Sequence, residues 1–213
     1  MALSARFTSV RSSYGVHPQL VATRGDAVNA MVDELERVLS GELPRPSAVG
    51  EIGLDGLEAN APFLPQQEHI FRRQLALAKA HDLPVALHVL RAHPRALEIL
   101  RSDGVPSRGG VLHSCSASAE LVKRYLDLGF FISFAGTVVD EKARRIRAAA
   151  VATPLDRLLV ETDAPDQAPI TRRGSRNEPA FLVDVVAALA ELHHVPMEEL
   201  AAVTTRNARQ LFG

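Results

Sequence analysis

The sequence predicts an α/β fold of parallel strands, each followed by a helix. Three features predict it: short apolar runs rich in Val, Ile, Leu and Phe, amphipathic stretches of helical period between them, and their alternation over 213 residues without a break in composition. A chain of this length can bury a sizeable core, and no low-complexity tract or linker interrupts it, so residues 1–213 are expected to form one domain.

The strand-like runs, in order, are Val10–Val16, Ala48–Ile52, Pro84–His88, Gly110–His113, Phe130–Phe134 and Arg157–Glu161. Each is short and continuous, as expected of strands covered by helices on both faces. Helical stretches lie near Asp26–Ser40, Pro65–Asp82, His93–Ser102, Ser118–Leu128 and Glu141–Ala152, and two more near Glu178–His194 and Pro196–Phe212. In Pro65–Asp82, Ile70, Leu75, Leu77 and Ala78 are apolar while Arg72, Arg73 and Lys79 are polar. Pro196 suits a first-turn position, and Glu198 and Glu199 behind it complement a helix N-terminus. Strand pattern alone leaves open a doubly wound sheet or a (β/α)8 barrel. Six strands are counted, whereas a complete barrel has eight and runs to about 250 residues.

Composition bounds the function. Lys and Arg number 24 against 25 Asp and Glu, so no global electrostatic grip on nucleic acid is indicated and any such contact must be local. The single cysteine, Cys115, excludes an intrachain disulfide and fits a reducing compartment. No apolar run is long enough to span a bilayer, and Met1–Phe7 lacks the pattern of a secretory signal. The expected location is the cytoplasm, with no membrane partner.

Metal-competent residues mark the strand ends. Glu51 lies in Val49-Gly50-Glu51-Ile52-Gly53, His88 closes the third run, His113 closes the fourth, Asp163 follows the sixth, and His17 follows Tyr14-Gly15-Val16. In a parallel barrel the carboxyl ends of all strands open on one face, which would bring these side chains to one mouth. Any one histidine there is more often a satisfied polar residue than a ligand. Five such ends together are hard to explain by packing, because buried charge is costly unless paired or metal-bound. Imidazoles and carboxylates suit zinc, manganese or magnesium, ions that acidify water and polarise a phosphoryl or carbonyl oxygen. His69, His81, His193 and His194 fall on or beside helices and read as solvated surface residues. His93 reads as a helix start, and Cys115 as inert packing. Arg172, Arg173 and Arg176, after Asp163, read equally as a phosphate-contacting loop or an ordinary charged one.

At these residues the chain resembles the TatD deoxyribonuclease family of metal-dependent, amidohydrolase-like barrels. Gly15-Val16-His17-Pro18, Ala48-Val49-Gly50-Glu51-Ile52-Gly53-Leu54-Asp55, Leu83–His88, Gly110–Ser116, Leu158-Leu159-Val160-Glu161-Thr162-Asp163-Ala164-Pro165, Arg176–Pro179 and Asn207–Gly213 match its motifs in order. Gln67, Phe71, Gln74, Leu75 and Ala78 fit its helix after the second strand. The resemblance implies that Glu51 bridges two metal ions, that His88 and His113 ligate one, and that Asp163 holds the other and takes the proton of the attacking water. It places His17 against substrate phosphate, and Arg91 and Arg176 are candidate substrate contacts.

Three departures accompany the match. The family's opening strand ending in His-x-His is absent, as are its helix and the next strand. Its basic residue after the His88 strand falls one position later, at Arg91. Its H-x-F-S-G reads His113-Ser114-Cys115-Ser116-Ala117. The expected fold is therefore an incomplete (β/α)8 TIM-type barrel of six strands, holding one or two divalent ions, with exposed sheet edges able to self-associate. A misplaced start codon explains the departure better than degeneration, since Ala2–Arg6 reads as a helix end leading into a strand. The expected activity is metal-dependent phosphodiester hydrolysis, most simply of DNA. The alternatives are ester hydrolysis, as of an aminoacyl-tRNA linkage, or a non-catalytic remnant serving as a binding module.

Overall fold

The computed structural model describes residues 6–7, 10–41 and 45–213. Residues 2–5, on which the reading of an interrupted helix rests, lie outside them. The described residues contain six strands: β1 (Ser13–Tyr14), β2 (Ala48–Asp55), β3 (Val85–Leu90), β4 (Gly110–Leu112), β5 (Phe131–Phe134) and β6 (Leu158–Val160). Strand order follows the chain, β1-β2-β3-β4-β5-β6. The helices are α1 (Gln19–Arg24), α2 (Ala27–Ser40), α3 (Leu64–Ala80), α4 (His93–Asp103), α5 (Ala119–Leu126), α6 (Arg144–Val151), α7 (Leu182–His193) and α8 (Met197–Phe212). The alternating strands and helices of an α/β fold are thus present, with six strands as counted. No single helix among the described residues is long and apolar enough to cross a membrane.

The chain divides into two compact units, residues 1–111 with 211–213, and residues 112–210. In the first, β1, β2 and β3 pair in parallel, Ser13 opposite Ala48 and Val49 opposite Val85, with a register shift between Gly50 and Ile52. Ala48, Val49, Ile52, Leu54, Val85 and Leu87 are buried, so the strands present apolar side chains to both faces. On α2, Val28, Val32, Leu35 and Leu39 recur at helical spacing and are buried. Val28 and Val32 join Val16, Val21 and Ile70 in one apolar cluster.

Two glutamines on α3 depart from that apolar rule. Gln67 and Gln74 are buried on the face that also carries Ile70, Phe71 and Ala78. Gln74 accepts from the Val16 N–H (2.6 Å) and donates to the Val16 carbonyl (3.1 Å). Gln67 does the same for Asp55, at 2.7 and 3.1 Å, and donates to the Asn60 carbonyl at 3.0 Å. Each amide satisfies backbone groups that the sheet leaves unpaired where a strand ends.

In the second unit β5 and β6 pair in parallel, Ile132 opposite Leu158 and Phe134 opposite Val160. Ser118 caps α5, its Oγ accepting from the Leu121 N–H at 3.3 Å. Asn207 on α8 donates to the carbonyls of Leu155 (2.7 Å) and Leu158 (2.9 Å), fixing the entry into β6.

Most bounds differ from the sequence reading by one to four residues, β2 running on to Asp55 and β3 to Leu90, and two differences are larger. The first strand shortens from Val10–Val16 to Ser13–Tyr14, and the helix α1 was not anticipated, although Pro18 before it and Gly25 after it, at φ +51°, are stop and start signals. His193 corrects another expectation: it is half-buried rather than solvated, its Nε2 has no hydrogen-bond partner among the described residues, and burial holds its pKa down despite a hydrogen bond with the Ala150 backbone.

Candidate metal centre

The strand ends place the predicted side chains in two groups, one in each unit. In the first unit Glu51 on β2, His88 on β3 and His17 after β1 each offer a ligand atom, and these atoms all lie within 4.8 Å of one another. His17 Nε2 is 3.7 Å from Glu51 Oε2, and the His17 and His88 rings meet edge to face at 4.3 Å. All three are half-buried.

The proton positions follow from the acceptors. The Gln19 N–H donates to His17 Nδ1 at 3.2 Å, which puts the proton of the neutral ring on Nε2, beside Glu51. His88 Nε2 lies 3.3 Å from Asp55 Oδ2. Asp55 also accepts from Gln19 Nε2 (2.7 Å) and from the Leu57 N–H (2.9 Å). Burial works against the Asp55 charge, but the hydrogen bonds from Gln19, Leu57 and Asn60, with the electrostatic influence of the His88 ring, outweigh it and hold the carboxyl below its ordinary value.

In the second unit His113 stands between two carboxylates. Its Nδ1 is 3.0 Å from Glu161 Oε1 and its Nε2 is 3.2 Å from Asp163 Oδ1. Glu161 is held in turn by the Ser114 N–H and by Ser133 Oγ, both at 2.6 Å. Gln167 donates to Asp163 Oδ2 and, at 2.7 Å, to Ser114 Oγ. Asn177 donates to the Thr162 carbonyl at 2.5 Å and to the Asp166 carbonyl, so this buried side chain orders the turn that presents Asp163. Ser114, Asp163 and Gln167 all have left-handed backbones, at φ +41°, +59° and +54°. Such strained residues concentrate where side chains are positioned for function.

Imidazole nitrogens and carboxylate oxygens are donors that zinc and manganese accept, and magnesium takes the carboxylates. The 3.2 Å between His113 Nε2 and Asp163 Oδ1 suits two ligands of one ion, each about 2.1 Å from it. The residues present therefore fit a divalent cation.

Of the expected substrate contacts, His17 joins the first group, while Arg91 and Arg176 are exposed. Arg172 is engaged elsewhere, its Nε 3.0 Å from Asp184 Oδ2 and its guanidinium over the Phe181 ring. Sequence reasoning missed Asp55, Glu161, Gln19, Ser133 and Gln167. The first two stand inside quoted motifs, and a carboxylate near a strand-end histidine is the signal that could have found them.

The model of the family described as TatD related DNase matches residues 1–213. The metal-dependent hydrolase YcfH of Escherichia coli K12 is 41% identical over 200 residues, covering 94% of this chain and 72% of the relative. The 3'-5' ssDNA/RNA exonuclease TatD of Klebsiella pneumoniae strain 342 is 36% identical over 216 residues, covering 99% of this chain and 80% of the relative. The crystal structure of YjjV, a TatD homologue from E. coli K12, superposes with a TM-score of 0.91 at 34% identity, covering 99% of this chain and 80% of that one.

Proposed function

This chain belongs to the family of TatD related DNases, a family of metal-dependent hydrolases, and from that premise we propose that it cleaves phosphodiester bonds of DNA, with Glu51, His88, His113 and Asp163 as its metal ligands. The observation that carries the reading is the donor set: imidazole and carboxylate side chains stand at ligand spacing in or just after parallel strands, in the residues the family motifs share. A bound divalent cation supplies an acidified water and a Lewis acid for the phosphoryl oxygen.

The protein's own groups do the rest. Asp163 takes the proton of the attacking water at its carboxylate, held in orientation by Gln167 and His113. Glu161, on Nδ1 of His113, fixes that ring and leaves Nε2 to the metal side. His17, with its proton on Nε2, is a hydrogen-bond donor and suits a phosphate oxygen. Arg91 and Arg176 are exposed cations available to the rest of the strand.

The test is release of nucleotides from single-stranded DNA with manganese or magnesium, with and without chelator. Asp163→Asn should lower turnover by about a hundredfold or more, because an amide cannot accept the proton. If neither DNA nor RNA is cleaved and an aminoacyl ester is, the substrate assignment is wrong. If no nucleic acid or ester is cleaved, the chain is a binding module.

We place the protein in the cytoplasm on its lone buried thiol. We further propose a second copy as its protein partner, pairing along β1, which among the described residues is bonded to β2 alone. A monomer at every concentration in sedimentation velocity would remove that partner.

A further inference from the structure

Asp55 closes β2 and is fully buried, side chain included. A buried carboxylate is costly unless its partners are in place, and those of Asp55 are specific. Oδ1 accepts from the Leu57 N–H, while Oδ2 accepts from Gln19 Nε2 and faces His88 Nε2 at 3.3 Å. The backbone of the same residue is clamped at N–H and carbonyl by Gln67, itself buried, so the carboxylate has little room to move.

We propose that Asp55 is a positioning residue for the metal centre: its carboxylate holds His88 in the Nε2–H tautomer and so keeps the Nδ1 lone pair available to a divalent cation. This rests on His88 being a metal ligand. An ionised carboxylate only accepts hydrogen bonds, so the nitrogen facing it carries the proton. The neutral ring has one proton, so the other nitrogen is the donor atom for a metal. A carboxylate behind a ligating imidazole fixes its rotation and raises its basicity, and such partners are worth about 10–100-fold in metal affinity. Gln19 serves both histidines, its N–H setting the His17 proton and its side-chain amide bracing Asp55. His17 and His88 therefore take different parts: with its proton on Nε2 beside Glu51, His17 donates, and with its proton turned to Asp55, His88 ligates.

The experiment has two readouts. Long-range proton–nitrogen correlation spectra of nitrogen-labelled, metal-free protein report the His88 tautomer directly. The wild type should show Nε2–H, and Asp55→Asn should shift the ring toward Nδ1–H or a mixture. Calorimetric titration with cobalt(II) should show Asp55→Asn binding about 10–100-fold more weakly than wild type. Gln19→Ala, at an exposed position, should show a smaller loss in the same direction and stands in if Asp55→Asn does not fold. An Nδ1–H tautomer in the wild type, or an unchanged tautomer with unchanged cobalt affinity in the folded variants, overturns the proposal. If the wild type binds no cobalt, the metal reading fails, while the tautomer still decides whether Asp55 holds His88.

Discussion

Cys115 sits two residues past His113, yet its chemistry is that of the core. It is 3% exposed, and burial pushes its thiol from 9.0 up to about 12. Burial raises the Tyr125 hydroxyl as well. Both groups are neutral when folded, and both release their protons at lower pH when the chain unfolds. Above about pH 9 the unfolded state therefore binds fewer protons than the folded one, and stability falls as pH rises. Melting temperature should decline through that alkaline range, and Cys115→Ala should flatten the decline. An identical slope in the variant would show that the thiol gives up its proton equally readily in the folded and unfolded states. The same burial should leave the native thiol unreactive toward a disulfide reagent until the protein is unfolded. At this scale the ligand candidates were legible because a histidine or acid closing an apolar run is visible in one dimension. Asp55 and Glu161 were not, because their meaning lies in a partner 33 and 48 residues away, His88 and His113 respectively. Nor was the burial of His193, which depends on the Ala150 backbone.

Elements matter here chiefly through how closely β2 approaches β3. Gly53 has φ +140°, a conformation that side chains rarely adopt, and a Cβ there would lie 2.1 Å from the His88 carbonyl oxygen. Gly53→Ala is expected to destabilise the protein by about 3 kcal/mol, from backbone strain plus displacement of β3, and to weaken metal binding because His88 moves with its strand. Urea midpoints and cobalt titration measure the two effects, and a variant as stable as wild type would show that the strands can part without cost. Gln74→Leu tests the clamp on Val16, the residue before His17. The leucine leaves a buried N–H and carbonyl unpaired, for a loss of about 1–3 kcal/mol. The helix holding both glutamines was read nearly to its ends from its apolar period, because that period survives polar insertions. The part Gln67 and Gln74 play was not readable, since a glutamine on an apolar face looks the same whether it clamps backbone or meets solvent. The first strand was overcalled because β-propensity extends from Val10 to Val16, while among the described residues strand pairing is limited to Ser13 with Ala48 and Tyr14 with Val49.

The whole molecule raises the question of whether two compact units amount to two folding units. Two elements argue that they do not. β4 runs Gly110–Leu112 across the boundary between Val111 and Leu112, and α8 runs Met197–Phe212 across the one between Gln210 and Leu211. A strand or helix broken at such a point would lose backbone hydrogen bonds on both sides, so neither unit can complete its elements while the other is unfolded. We expect one cooperative transition on heating, with calorimetric and van't Hoff enthalpies equal. The enthalpy scale follows from length: at about 0.7 kcal/mol per residue near 60 °C, unfolding all 213 residues as one unit gives about 150 kcal/mol. A van't Hoff enthalpy near half that value would show two units melting separately, and the single-domain reading would then be wrong. Divalent metal supplies a second handle, because an ion bound only by the folded state raises the melting temperature with its concentration. If folding is one transition, cobalt should shift that whole transition. If the units melt apart, cobalt should move only the step of the unit whose ligands it occupies, and Asp55→Asn should reduce the shift of the step belonging to residues 1–111 while leaving the other unchanged.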